Sequence, residues 1–167
     1  MKNNWLKNFK TMKNLFWIIS AFVLIISSCA DPPEYPDEPV INFISLSKNE
    51  LVGQTVPAIA GRDLDSLVVT FGFTDGDGDI GVLDTNNVFL ADSRLTNNAG
   101  ESFQISPIPQ QGVGNGISGE IEVLIPNISC RPNVASRDTL HYRIQIVDAS
   151  GKQSNIINTP DIILICD

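Results

Sequence analysis

The sequence predicts an all-β fold, an antiparallel β-sandwich of about seven strands over residues 40–167. Three observations lead there. Short segments alternate apolar and polar residues with a period of two. Glycine, proline and Asp-Gly turn signals separate them. No window beyond the N-terminal apolar run sustains a 3.6-residue period, so no amphipathic helix is expected.

Val40 to Ser47, rich in β-branched and aromatic residues, suits a first strand. Lys48 to Asp65 reads as a connection, with Gly53, Pro57 and Gly61. Leu67 to Thr74 is the strongest strand: Leu67, Val69, Phe71 and Phe73 share one face, and Val68, Thr70, Gly72 and Thr74 the other. Asn87 to Ser93 is another, with Val88 and Leu90 opposite Phe89 and Ala91. Phe103 to Ser106 reads as an edge strand stopped by Pro107 and Pro109. In Ile117 to Ile125, Ile117, Gly119, Ile121, Val123 and Ile125 point one way and Ser118, Glu120 and Glu122 the other. Leu140 to Val147 alternates likewise, with Tyr142 inward and His141 outward. Asp148-Ala-Ser-Gly151 makes a hairpin turn. The last strand, from about Ser154 to Ile165, is broken by Pro160.

Residues 1–28 stand apart as a helical signal peptide. Lys2, Lys7, Lys10 and Lys13 precede an apolar run from Leu15 to Ile26, too short for a membrane span, which needs roughly 20 residues. Met12 would also serve as a start. Ser27-Ser28-Cys29 after an aliphatic residue resembles the lipobox of bacterial lipoproteins, in which the chain is cut before the cysteine and that cysteine is acylated. The resemblance implies lipidation at Cys29 and a membrane partner reached through the acyl chains. Residues 29–39 then form an acidic, proline-rich tether that has no apolar face to bury. Ala30 follows the cysteine where an inner-membrane retention signal carries Asp, which implies an outer-membrane, lipid-anchored address, on its periplasmic face or at the cell surface.

Charge excludes one class of partner. Past Cys29 the chain has seven basic and 19 acidic residues, a net charge of −12. Such a surface repels phosphate backbones, so no nucleic acid is expected. Two cysteines remain there, Cys130 and Cys166, and an even pair in an exported protein reads as a disulfide.

The densest charge lies in Asp75-Gly-Asp-Gly-Asp-Ile-Gly81. Calcium takes about six to eight oxygen ligands, and Asp75, Asp77 and Asp79, spaced by permissive glycines, can curl round one ion. Asp84, or Asp63, Asp65 or Asp148 from neighbouring loops, could complete the shell. Ile80 stands where an EF-hand needs glycine and Asn86 where it needs glutamate, so this is a D-x-D-x-D loop and not an EF-hand. A plain solvated turn remains the competing reading, since two carboxylates about 6 Å apart in water repel by only about 0.7 kcal/mol. No catalytic residue is expected. His141 is the only histidine and faces outward, and no nucleophile, zinc or phosphate-loop motif is present.

The final hairpin, Y-R-I-Q-I-V-D-A-S-G-K-Q-S-N, resembles the last two strands of immunoglobulin- and fibronectin-III-like domains. More broadly, F-x-F-T-D-G-D-G-D-I-G, G-I-S-G-E-I-E-V and the segment from Asp138 to Leu164 resemble a group of small Bacteroidota lipoproteins of uncharacterised function. The resemblance spans most of residues 66–165 and implies fold and address but no activity. Two function classes follow: a structural or protein-interaction module with an envelope protein partner, or a ligand-binding accessory lipoprotein for glycans. Both tryptophans, Trp5 and Trp17, precede Cys29, leaving few aromatic residues for a glycan platform.

Overall fold

A computed structural model describes residues 34–55, 64–108, 116–134 and 136–166. Residues 1–28, expected to be a signal peptide, together with Cys29 and Asp63, lie outside the described residues. The described residues are all-β, with ten strands in three sheets around one hydrophobic core. Its only helical element among the described residues is a 3-10 turn, Thr96–Asn98. No described helix is long and apolar enough to cross a membrane.

The first sheet has the order β1-β3-β6: β1 is Val40–Leu46, β3 Ser66–Asp75 and β6 Ile117–Pro126. All three are antiparallel, and β3 and β6 pair without interruption from Ser66↔Pro126 to Asp75↔Ile117. The alternation in β3 is real: Leu67, Val69 and Phe71 have no exposed surface. The opposite face is also largely covered, with Thr70 and Gly72 buried. At the outer edge of β1, Asn155 supplies what a fourth strand would. Its Oδ1 accepts from the Ile41 N–H at 2.8 Å, and its Nδ2 donates to the Ile41 carbonyl at 2.9 Å.

The second sheet, β2-β10-β7, joins Glu50–Val52, Ile162–Ile165 and Arg137–Leu140. Strand β2 lies inside the stretch expected to be only a connection. It pairs parallel with β10, so the sandwich is not purely antiparallel. Three residues are too few for a period to register. The third sheet, β5-β4-β8-β9, joins Gly100–Phe103, Val88–Asp92, Tyr142–Ile146 and Ile157–Asn158. Strand β5 ends at Phe103, where an edge strand was expected to begin. Gly100 lets the chain approach Ala91 closely: a Cβ there would lie 2.9 Å from the Ala91 Cα.

The C-terminal hairpin passes between two sheets, which raises the strand count above seven. One alternating segment becomes β7 and β8, split at His141, where the His141 N–H donates to Ser93 Oγ at 2.9 Å and the Ser93 N–H returns to the His141 carbonyl at 3.0 Å. Its partner is split into β9 and β10 around Pro160. Cys130 and Cys166 are joined by a disulfide with a Cα–Cα distance of 6.0 Å, fastening the end of β10 beside the segment that follows β6.

Candidate metal centre

The alternation that buries Leu67, Val69, Phe71 and Phe73 carries on for one more step and turns Asp75 inward. Asp75 has no exposed surface. Its Oδ2 accepts the Asp79 N–H at 2.8 Å, which folds the D-x-D-x-D loop back on itself. Gly78 sits in this turn with φ 70°, in the left-handed region that glycine tolerates. Ile80, 2 % exposed, pins the far side of the loop in the core.

Two further segments close around the loop. The hairpin turn after β8 brings Asp148, 3 % exposed, whose Oδ1 accepts from Ser150 Oγ at 2.9 Å and the Lys152 N–H at 2.8 Å. The Ala149 N–H donates to the Asp79 carbonyl at 3.1 Å. From the other side the Gly76 N–H reaches the Pro36 carbonyl at 2.7 Å. A Cβ on Gly76 would lie 2.7 Å from that oxygen, so only glycine allows the Pro36 backbone so close.

Asp75, Asp77, Asp79 and Asp148 thus offer one carboxylate oxygen each, all within 4.8 Å of one another. One further fact distinguishes this group from an ordinary acidic surface. Asp75 Oδ1, Asp79 Oδ1 and Asp148 Oδ2 are buried with no hydrogen-bond donor. A buried acceptor left unmade costs about 1–3 kcal/mol, more if charged. At an effective dielectric of about 20, charges separated by about 4.8 Å repel by about 3.5 kcal/mol per pair.

The titration of the group reflects this crowding. Burial, then the Asp77, Asp79 and Asp148 charges, push the Asp75 carboxyl up to about 6, against its hydrogen bond from Asp79. Burial and the Asp148 and Asp77 charges also raise Asp79. Asp77 is lowered, chiefly by its hydrogen bond from Lys152 Nζ. A cluster of four carboxylates, two of the residues buried and three carrying orphaned oxygens, can hold a metal ion.

Of the predicted ligands, Asp75, Asp77 and Asp79 come together; Asp84 does not. It is exposed in the turn after Gly81, with φ 56°, and Asp148 takes the fourth place. Asp65 is engaged elsewhere, accepting from Lys48 Nζ and from the Val52 N–H at 2.8 Å. His141 lies 3.7 Å from Asp161 at the surface.

A second charged cluster went unread in the sequence. Arg94, its side chain 8 % exposed, bridges Asp92 and the fully buried side chain of Asp138, with Nη1 2.7 Å from Asp138 Oδ2. Arg131 takes the other oxygen of Asp138 at 2.7 Å. Burial opposes the charge on Asp138, but the hydrogen bonds from Arg131 and Arg94 prevail and hold it at about 2. The signal was present: Asp92 continues the inward series Val88, Leu90, and Asp138 precedes inward Leu140. A cleft of about 350 Å³ opens beside this network, lined by Asp92, Arg94, Cys130, Arg131 and Tyr142 among others.

Comparison with protein-family models, curated proteins and solved structures yields no match to this chain.

Proposed function

We propose that this chain is a lipid-anchored cell-envelope protein whose β-sandwich acts as a structural or protein-interaction module, with one end stiffened by a bound calcium ion. The observation that carries the calcium reading is the gathering of Asp75, Asp77, Asp79 and Asp148, three of which carry buried, donorless carboxylate oxygens. Ligands on opposite sides of a calcium ion are two bond lengths apart, about 4.6–5.2 Å, and four oxygens all within 4.8 Å of one another are compatible with such an ion. Backbone carbonyls and water complete a shell of this kind. The ion's role is structural: it ties the loop after β3 to the hairpin after β8, neutralising charge that the fold otherwise buries at a cost.

The anchoring part of the proposal rests on the lysine-flanked apolar run, Ser27-Ser28-Cys29 and the acidic tether. The envelope role follows from that address and from a surface too acidic for nucleic acid. Titration calorimetry with CaCl₂, together with thermal melting in calcium and in EDTA, tests the ion. Heat at a stoichiometry of one and a higher melting temperature in calcium are expected. No heat and no shift at millimolar calcium would sink the calcium reading. For the anchor, Cys29→Ser is expected to move the protein from the membrane to the soluble fraction; unchanged fractionation refutes lipidation. Co-purification of a stoichiometric protein from solubilised envelope supports the interaction role, and retention on a polysaccharide column would overturn it in favour of glycan binding.

A further inference from the structure

We propose that Lys152 is a built-in competitor at the cation centre, a residue that sets the affinity of the site and links its state to the tether. The inference rests on the cation reading above. Lys152 touches two of the four ligands in different ways. Its backbone N–H donates to Asp148 Oδ1 at 2.8 Å and so orients that carboxylate. Its side-chain ammonium pairs with Asp77 Oδ2. The same ammonium donates to the Asp37 carbonyl at 3.3 Å, in the segment that leads into β1.

Asp77 is the exposed member of the group, and Asp75 and Asp148 are the buried ones. The ammonium therefore sits where an ion entering from solvent must collect its last carboxylate. An ammonium on one oxygen of Asp77 repels a divalent ion approaching the other. Binding then has to displace the side chain or proceed against its charge. Displacement frees the Asp37 carbonyl as well, so the grip on the tether changes with occupancy. The Gly76–Pro36 hydrogen bond does not involve Lys152.

The test is calorimetric titration of the full-length protein in detergent with CaCl₂, for wild type, Lys152→Gln, Lys152→Arg and Asp77→Asn alone and combined with Lys152→Gln. Lys152→Gln is expected to bind calcium about tenfold tighter, the scale of one removed charge at a partly exposed divalent site. Lys152→Arg is expected to match wild type. In the Asp77→Asn background the gain is expected to vanish. A merely structural lysine would weaken binding when removed, so the direction of the change separates the two roles. Wild-type binding with Lys152→Gln equal or weaker overturns the competitor role and leaves the calcium site standing. Absence of binding in every variant overturns both. Binding by Lys152→Gln alone supports the competitor role in its strongest form.

Discussion

Replacing Asp75 by asparagine should stabilise the metal-free protein. Asp75 has no exposed surface, and its Oδ1 has no donor. Asparagine keeps the shape and the acceptor for the Asp79 N–H. It removes the buried charge and turns the orphaned oxygen into a donor beside Asp79 and Asp148. The magnitude follows from the displaced titration of Asp75, from 3.8 to about 6. A displacement of that size corresponds to about 3 kcal/mol. For a domain of this size that is roughly 10 °C in melting temperature.

The sign is specific. An acid whose folded pKa exceeds its unfolded value holds its proton longer in the folded state. Its burial costs nothing below about pH 4, increasingly more up to about pH 6, and the full amount above. The gain from Asp75→Asn should therefore be complete at pH 7 and fade by pH 4. Thermal unfolding followed by circular dichroism in EDTA, at pH 7 and pH 4, measures both. In calcium at about one thousand times Kd the order should invert, because wild type gains about 4.1 kcal/mol there while the variant has lost a ligand. An Asp75→Asn protein less stable than wild type in EDTA at pH 7 would refute the reasoning, as would a gain that persists unchanged at pH 4.

Wild type in EDTA should be most stable near pH 4–5: relief at Asp75 comes as pH falls through about 6, and the Asp138 contribution is lost only as pH falls from 3.8 toward about 2. A melting temperature that falls steadily from pH 7 downward contradicts this. Arg94→Ala, which leaves buried Asp92 without its cation and Asp138 with Arg131 alone, should cost about 3 kcal/mol in denaturant unfolding. Arg131→Ala, at a side chain 54 % exposed, should cost only about 1 kcal/mol; equal losses would count against the buried bridge. Removing the disulfide by Cys130→Ser with Cys166→Ser opens a loop of 36 residues and should cost about 3–4 kcal/mol, visible as a lower melting temperature.

The sequence made long strands legible and short ones not. β3 and β6 span ten residues each, enough for the period of two to be read and for the facing core to be named residue by residue. β2 has three residues and β9 two, and they exist because neighbours hold them rather than because of their own pattern. The crossing of the C-terminal hairpin from one sheet to another leaves only a weak trace at His141 and Pro160. In the metal centre, the three loop aspartates follow from local spacing. The fourth ligand comes from a turn about seventy positions later, and proximity across the fold outweighed proximity in the chain that favoured Asp84. The inward direction of Asp75 was nonetheless written in the alternation that ends on it.

The amide of Asn155 bears on how copies of this protein meet. A bare edge strand offers its outward N–H and C=O groups to any extended chain and so seeds edge-to-edge aggregation. On β1 the outward pair at Ile41 is already taken by a side chain that has no further strand to offer. On the far edge of the same sheet, β6 exposes Glu120 and Glu122, whose like charges repel a second copy in register. With one rim capped and the other charged, this sheet is built to end, and crowded molecules can stand side by side without polymerising through it.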